Sequence, residues 1–485
     1  MLRRKSPWTA SLWLIAAFSA IRLLVGSASG LSVDEAHYAL YGLHPDWSYF
    51  DHPPLIGWLQ ALVLPFSESA LALRVLPVVL FAATGMVLYR LTRSLFPQDS
   101  PWLGFISVAL LQSGLMFQLI GIAMLPDTPL LLLGLLVLLV LQGALTTAQM
   151  RYWLALGLLL GLAALSKYTA ITLVATVLIA MAFTRQWRQL RTPAVWLAML
   201  LAALVMLPIL YWNARHDWIS FAYQLHHGTG NLHWQASRFL LSEAAQLLVY
   251  GFGVVVFGVI ALVSAARDSS DTGVRYCLAL ALPVLLLFGW NAGYVATLPH
   301  WTSLAWAALL PLSARWIYRR WSQRGVRVGV YMSAAYSLLL MSVLFAEMVT
   351  PRLPFAENKH PMSDIYGWQD AAQHAETLRA EMAATPGVTP TLFTVNWTYA
   401  SRLAWYARPT PVVVLDERYD QFDLWFGSPQ NGARGIVVST EGDAPPATGG
   451  AAQFAGCTPR DKLPIILNGH LVSTFSFYAC NDFRK

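Results

Sequence analysis

Apolar stretches of close to helix-spanning length recur along the chain up to residue 349, separated by short polar breaks. Reading crossings of about 20 residues each, the pattern predicts about eleven transmembrane helices. They fall at 8–26, 71–92, 102–122, 129–147, 152–166, 169–184, 194–212, 246–265, 276–293, 301–318 and 328–347, the fifth and sixth being short. From 350 to 485 the pattern changes to Pro, polar residues and short β-rich runs, and no further stretch is long enough to span. An amphipathic helix at 366–384, buried strands at 391–395, 411–415 and 435–439, and a helix at 399–407 between the first two predict a small α/β domain. The expected organisation is therefore a membrane domain over 1–349, with a long polar loop at 27–69, followed by a separate domain over 350–485.

Composition agrees with a bilayer protein: 56% of residues are hydrophobic and 12% charged, and the mean hydropathy is +0.51. A net charge of +7 with a pI near 9.3 would point to nucleic acid in a soluble chain. Here the basic residues sit in alternate inter-helix loops, so they report orientation instead, and nucleic acid is not an expected partner. Arg3, Arg4 and Lys5, then Arg90 and Arg93, Arg151, Arg185, Arg188 and Arg191, Arg267 and Arg275, and Arg319, Arg320, Arg324 and Arg327 mark the cytoplasmic side. The N-terminus then lies in the cytoplasm, the first apolar run is a retained helix and not a cleaved signal, and the C-terminal domain lies in the periplasm. Of three cysteines, Cys277 falls in an apolar helix, while Cys457 and Cys480 share the outer domain and could pair as a disulfide.

The loop at 27–69 is too polar for hydrocarbon, yet rich in aromatic residues, and belongs at the membrane interface. In helical geometry Asp34 and His37 project from one face with Tyr38 beside them, and Glu35 adjoins Asp34. A second acid–imidazole pair, Asp51 and His52, precedes Pro53–Pro54, and a residue before proline is held extended. Capping would explain either acid alone, but not why each is accompanied by a histidine in the same loop. The chemistry that fits is proton removal from an acceptor hydroxyl by a carboxylate, with cations balancing a phosphate leaving group.

The run Asp34–Glu35–Ala36–His37–Tyr38, followed by Trp47–Ser48–Tyr49–Phe50–Asp51–His52–Pro53–Pro54–Leu55, resembles the first outer loop of bacterial membrane glycosyltransferases related to protein mannosyltransferases and the aminoarabinose transferase of lipid A. The resemblance continues through Leu125–Pro126–Asp127–Thr128–Pro129, Ser166–Lys167–Tyr168–Thr169, Trp212–Asn213–Ala214–Arg215–His216–Asp217–Trp218 and Leu298–Pro299–His300–Trp301. It implies a polytopic α-helical fold of the C type in the bacterial inner membrane, a polyprenyl-phosphate sugar donor, and inverting transfer of a hexosyl or pentosyl group to an envelope acceptor such as lipid A, lipopolysaccharide or another cell-surface glycan. It also implies that Asp34 is the general base, with its neighbour Glu35 as a further catalytic group. Asp51 would orient sugar or acceptor, while His37, His52, Lys167, Arg215 and His300 would hold the phosphate. The chain departs from the aminoarabinose branch at His37, where Arg is usual, and at Asp51–His52, where Glu–Lys is usual. Fixed charges are thus replaced by titratable ones.

Other positions have plainer readings. Asp127, between Pro126 and Pro129, is expected to cap the next helix, with a place in the pocket as the alternative. Lys167 would snorkel to headgroups or contact phosphate. Arg215 follows a helix end, where the dipole favours a cation. His226, His227 and His233, with His37, His52 and Asp51, offer ligands to zinc or another divalent ion, but without the spacing of a recognisable metal site. No cofactor is required, and no glycine-rich phosphate loop occurs. Asn396–Trp397–Thr398 fits the N-glycosylation pattern only by chance. Two alternatives stand beside lipid or glycan transfer: a protein hydroxyl as acceptor, and a transporter without covalent chemistry. Charged motifs gathered at one face, without an internal repeat, weigh against transport.

Overall fold

The computed structural model describes residues 6–229, 233–267, 270–355, 359–384, 387, 389–440 and 453–484. Two compact units emerge: Met1–Leu24 with Pro45–Ser342, and Val25–His44 with Val343–Lys485.

In chain order the helices are α1 (Pro7–Ala28), α2 (Val33–Leu43), α3 (Leu55–Ala61), α4 (Ala70–Leu95), α5 (Trp102–Ser113), α6 (Leu115–Ile122), α7 (Asp127–Thr147), α8 (Met150–Ser166), α9 (Ile171–Phe183), α10 (Pro193–Val205), α11 (Leu207–Arg215), α12 (Ile219–Thr229), α13 (Ala236–Arg267), α14 (Thr272–Asn291), α15 (Ser303–Arg319) and α16 (Arg324–Val349). Among the described residues six are long and apolar enough to cross a membrane, or eight segments if each bent pair is one crossing. The stretch expected as one span at 102–122 is the pair α5–α6, bent by 78°. Its break falls at Gly114, a poor helix former, where a β-carbon would come within 2.9 Å of the Phe117 ring. The pair α10–α11 bends by 45°. Pro208 sits in the first turn of its second helix, where an absent N–H costs nothing. α13 starts ten residues before the expected span at 246 and is interrupted at Gly251, whose φ of 77° is open to glycine without strain.

Within this first unit α7 and α15 are buried nearly throughout and pack on each other. At their crossing, a β-carbon on Gly134 would lie 2.5 Å from Leu304 Cδ1, so any larger residue there would have to displace the Leu304 side chain. The crossing lies near the first turns of both helices, which brings Asp127 and the short 3-10 turn Pro299–Thr302 together.

The second unit contains α2, then α17 (Trp368–Ala383), β1 (Thr391–Thr394), α18 (Trp397–Tyr406), β2 (Val412–Val414), α19 (Gln421–Phe426), β3 (Gly435–Thr440), β4 (Gln453–Leu467) and β5 (His470–Arg484). The sheet runs β2-β1-β3-β5-β4. β1 pairs in parallel with β2 and β3, and β5 runs antiparallel to β3 and β4. Phe393, Val413, Val437, Phe454 and Phe483 form the core on one face, together with Cys480. Cys480 is opposite Cys457 in the β4–β5 register, and the two are disulfide-bonded.

Candidate active site

In the first unit the segment 45–54 has little secondary structure and is held instead by side-chain hydrogen bonds. Trp212 Nε1 donates to Asp46 Oδ2 and Trp58 Nε1 to the Asp46 carbonyl, both at 2.8 Å. Ser220 Oγ donates to the Tyr49 carbonyl at 2.9 Å, and Gln224 Nε2 to that of Asp51 at 2.6 Å. The main chain around Asp51 and His52 is thus fixed from α11 and α12. His52 Nε2 lies 3.9 Å from Asp51 Oδ2, and both side chains keep some exposure.

Asp127 opens α7 but does not cap it. Pro126 is the N-cap residue and makes no side-chain cap bond, which corrects the capping expectation. Both Asp127 carboxylate oxygens accept from Lys167 Nζ, at 2.8 and 2.7 Å, and Asp127 is only 2% exposed. Nor does Lys167 snorkel: it is buried at the end of α8 in an extended conformation, with its ammonium 5.9 Å from the Trp301 ring centroid. Ser166 Oγ donates to the Pro126 carbonyl at 2.6 Å, which pins the end of α8 to the start of α7. An ion pair so far from water needs its partner to stay charged, so neither residue can change alone without cost.

His300 Nε2 lies 3.8 Å from Asp127 Oδ2. Burial pushes its pKa down to about 4 against the pull of Asp127, with Lys167 and His52 pushing the same way as burial. His300 is therefore a neutral imidazole at neutral pH, able to donate one N–H but not to act as a cation. Arg215 stands apart from this cluster. It is exposed, donates from Nη2 to Tyr211 Oη at 3.3 Å, and lies over the Tyr211 ring.

In the second unit, Ser32 and Glu35 form a capping box at the start of α2. Ser32 Oγ accepts from the Glu35 amide, and Glu35 Oε2 accepts from the Ser32 amide at 3.0 Å. Glu35, expected beside Asp34 as a catalytic group, is thus engaged in holding the helix end. Asp34, one residue earlier in the same turn, is half-buried. The Val33 amide donates to Asp364 Oδ2 at 3.5 Å, while Arg402 Nη1 donates to Asp364 Oδ1 at 2.7 Å. The Arg402 guanidinium lies 3.9 Å from the Trp368 ring centroid, and Asp34 and Asp364 both favour its charge. Neither Arg402 nor Asp364 stood out in the sequence. The available signal was an arginine inside an otherwise apolar helical face at 399–407.

His37 is 3% exposed, with its Nδ1 at 3.1 Å from Ser401 Oγ. Tyr38, Tyr41, Trp397 and Phe422 surround the ring, with centroids 4.9 to 5.9 Å away. The structure gives His37 the setting of a core residue, with α18 and α19 packed around it. Tyr38 belongs to the same aromatic group and is also buried. Among the described residues no three His, Cys, Asp or Glu side chains are grouped as a metal site. The side chains of His226 and His227 lie outside the described residues, and His233 is exposed.

The arrangement of broken helices followed by a small sheet domain has known counterparts. It superposes on ArnT from Cupriavidus metallidurans bound to undecaprenyl phosphate with a TM-score of 0.63, covering 88% of this chain and 93% of that one at 15% identity. The apo form of the same enzyme gives 0.60. This is the C-type membrane glycosyltransferase fold. The profile of the family described as dolichyl-phosphate-mannose-protein mannosyltransferase matches residues 51–212, a stretch that includes Asp51, His52, Asp127 and Lys167. The lipid A galacturonosyltransferase RgtD of Rhizobium johnstonii is 27% identical over 320 residues, which are 64% of this chain and 66% of that protein, just under two-thirds of its length. The structures share the fold of this chain, and the profile and the relative each match part of it.

Proposed function

We propose that the protein transfers a sugar from a polyprenyl-phosphate donor to a lipid A-type glycolipid at the outer face of the bacterial inner membrane. The observation that carries this reading is the buried Asp127–Lys167 pair with neutral His300 beside it, on the stretch where the mannosyltransferase profile matches. The name of RgtD supports lipid A as acceptor, and the name of the ArnT complex supports a polyprenyl phosphate as carrier. The alternating basic loops support a cytoplasmic N-terminus and a periplasmic C-terminal domain.

In this reading Asp34 takes the proton of the acceptor hydroxyl as its oxygen attacks the anomeric carbon. The bond from that carbon to the phosphate oxygen breaks with inversion, and the phosphate leaves as an anion. Lys167 and His52 counter its charge. His300 offers a neutral N–H to a phosphate oxygen. Asp51 orients the sugar hydroxyls. Asp127 sets the Lys167 ammonium in place. No nucleotide is consumed, because the sugar is already activated on its lipid. Divalent-ion dependence enters only as a variable of the assay.

The test supplies the purified full-length protein with extracted polyprenyl-phosphate sugars and lipid A, with and without chelator, and compares wild type with Asp34→Asn. Loss of a general base should slow transfer by roughly 10²–10⁴-fold. Equal rates in both would remove Asp34 from the mechanism. Labelling of peptide hydroxyls in place of lipid A would shift the acceptor to protein.

A further inference from the structure

The first unit contains a groove of about 750 Å³ between α5, α13, α15 and α16, at helix ends that the reaction does not use. Its rim is formed by Trp102, Tyr318, Arg319 and Trp321, at the α4–α5 and α15–α16 turns. His300 precedes α15 and Arg319 ends it, so the rim is a full helix length from the candidate active site. The walls are apolar and include Phe105, Ile106, Leu110 and Phe257. The end away from the rim is lined by Ser113, Gly253 and Ser333.

We propose that this groove holds one anionic phospholipid, with an acyl chain along α5 and the phosphate on Arg319. Three observations fit that occupant. From Trp102 to Ser113 the groove follows α5 for about 16 Å at 1.5 Å per residue, half of the roughly 30 Å hydrocarbon core and therefore one leaflet deep. Tryptophan and tyrosine at the mouth are the side chains that settle at headgroup level. The charge at the mouth is in surplus. Asp99 is already met by Arg315 Nε at 2.8 Å, with Arg319 Nη2 further off at 3.4 Å, and Arg315 also pairs with Asp271 at 2.7 Å. Arg324 and Arg327 add to the same turn, and Arg327 Nη1 fixes it by donating to the Trp321 and Ser322 carbonyls. An anion is therefore favoured at the rim, and the lining reaches no further along α5 than Ser113. The volume also lies within the roughly 300–1,000 Å³ of small-molecule sites.

Native mass spectrometry of the full-length protein should settle the occupant, with phosphatidylglycerol, phosphatidylcholine and undecaprenyl phosphate offered at equal concentration. The expected result is preferential retention of a single phosphatidylglycerol. Arg319→Gln should lower its retention about fivefold, the ratio equivalent to about 1 kcal/mol for one arginine near an anionic lipid. Arg320→Gln should leave it unchanged, since Arg320 lies over Trp316 and does not line the groove. Ala109→Trp, which fills the middle of the groove, should abolish it. Equal retention of phosphatidylcholine, preference for undecaprenyl phosphate, or equal losses in Arg319→Gln and Arg320→Gln would each overturn the proposal. Arg319 is exposed and Arg320 half-buried, both outside the core, so the two arginine changes keep the test decisive even if Ala109→Trp fails to fold.

Discussion

Asp34 with His37 and Asp51 with His52 form two acid–imidazole pairs of one polar loop, yet the structure treats them differently. The first pair lies on a capped helix in the second unit, and its imidazole is a core residue with Ser401 and five aromatic rings around it. The second pair lies on a bent loop in the first unit, where the Tyr49 amide donates to the His52 carbonyl at 3.2 Å and Ser220 and Gln224 hold the Tyr49 and Asp51 carbonyls, and both its side chains stay partly exposed. A histidine beside an acid is therefore not one kind of signal. Where the ring is enclosed by aromatic groups it specifies packing. Where only the main chain is fixed and the ring keeps access, it is available for a ligand.

The largest effect is expected at the buried pair that accompanies the second arrangement. Lys167→Met leaves the Asp127 carboxylate without its cation in surroundings where Asp127 is 2% exposed. Breaking such a pair costs about 3–5 kcal/mol. Thermal unfolding in detergent should report that loss together with loss of sugar transfer. Adding Asp127→Leu removes the stranded charge and should recover most of the stability without recovering transfer. Recovery of both would make the pair structural, and the surroundings of His52 would then be packed for stability as those of His37 are.

A smaller effect separates the histidines themselves. His37→Phe keeps the aromatic contacts and loses the bond to Ser401, worth about 1 kcal/mol, so stability should fall slightly while transfer stays close to wild type. His52→Phe should do the reverse, with stability kept and transfer lowered. If His37→Phe abolishes transfer in a protein that still unfolds cooperatively, His37 has the phosphate role that its neighbours in sequence imply, and the contrast fails.

Much of this organisation was legible because it rests on local rules. Apolar runs mark the helices, and the short buried strands β1, β2 and β3 stand out by their β-branched residues. The long strands β4 and β5 were not legible. Pro459, Asp461, Lys462 and Pro464 make β4 read as loop, and its exposed face gives it no apolar alternation. The acids and imidazoles could be nominated from their placement, but their partners could not. Asp127 and Lys167 each had an adequate local explanation, as a cap and as a snorkelling cation. Only folding shows that the two explanations are replaced by one bond across 40 positions. Arg402 and Asp364 escaped notice for the same reason, since the helix they support begins more than 300 positions earlier.

The smallest predicted effect tests whether the His37 surroundings are tuned for packing. Asp420 caps α19 through Oδ1, which accepts from the Phe422 amide at 2.8 Å, and it is 2% exposed. Burial pushes its pKa up to about 6, with Asp423 adding to this, while the Phe422 amide, His37 and Arg418 pull it down. A carboxyl raised in the folded state binds its proton more tightly there than in the unfolded chain. Its contribution is therefore fully present below about pH 4 and is lost as the pH rises through about 6. Asp420→Asn keeps a good N-cap but cannot titrate. Hydrogen exchange of the α19 amides in the full-length protein, taken as the ratio of wild type to variant at each pH, should rise between pH 4 and 6 and level off above. A flat ratio would mean that the carboxylate is stabilised as an anion. The His37 ring would then face a fixed negative charge, and the enclosed imidazole would carry the electrostatic demand that the comparison assigns only to His52.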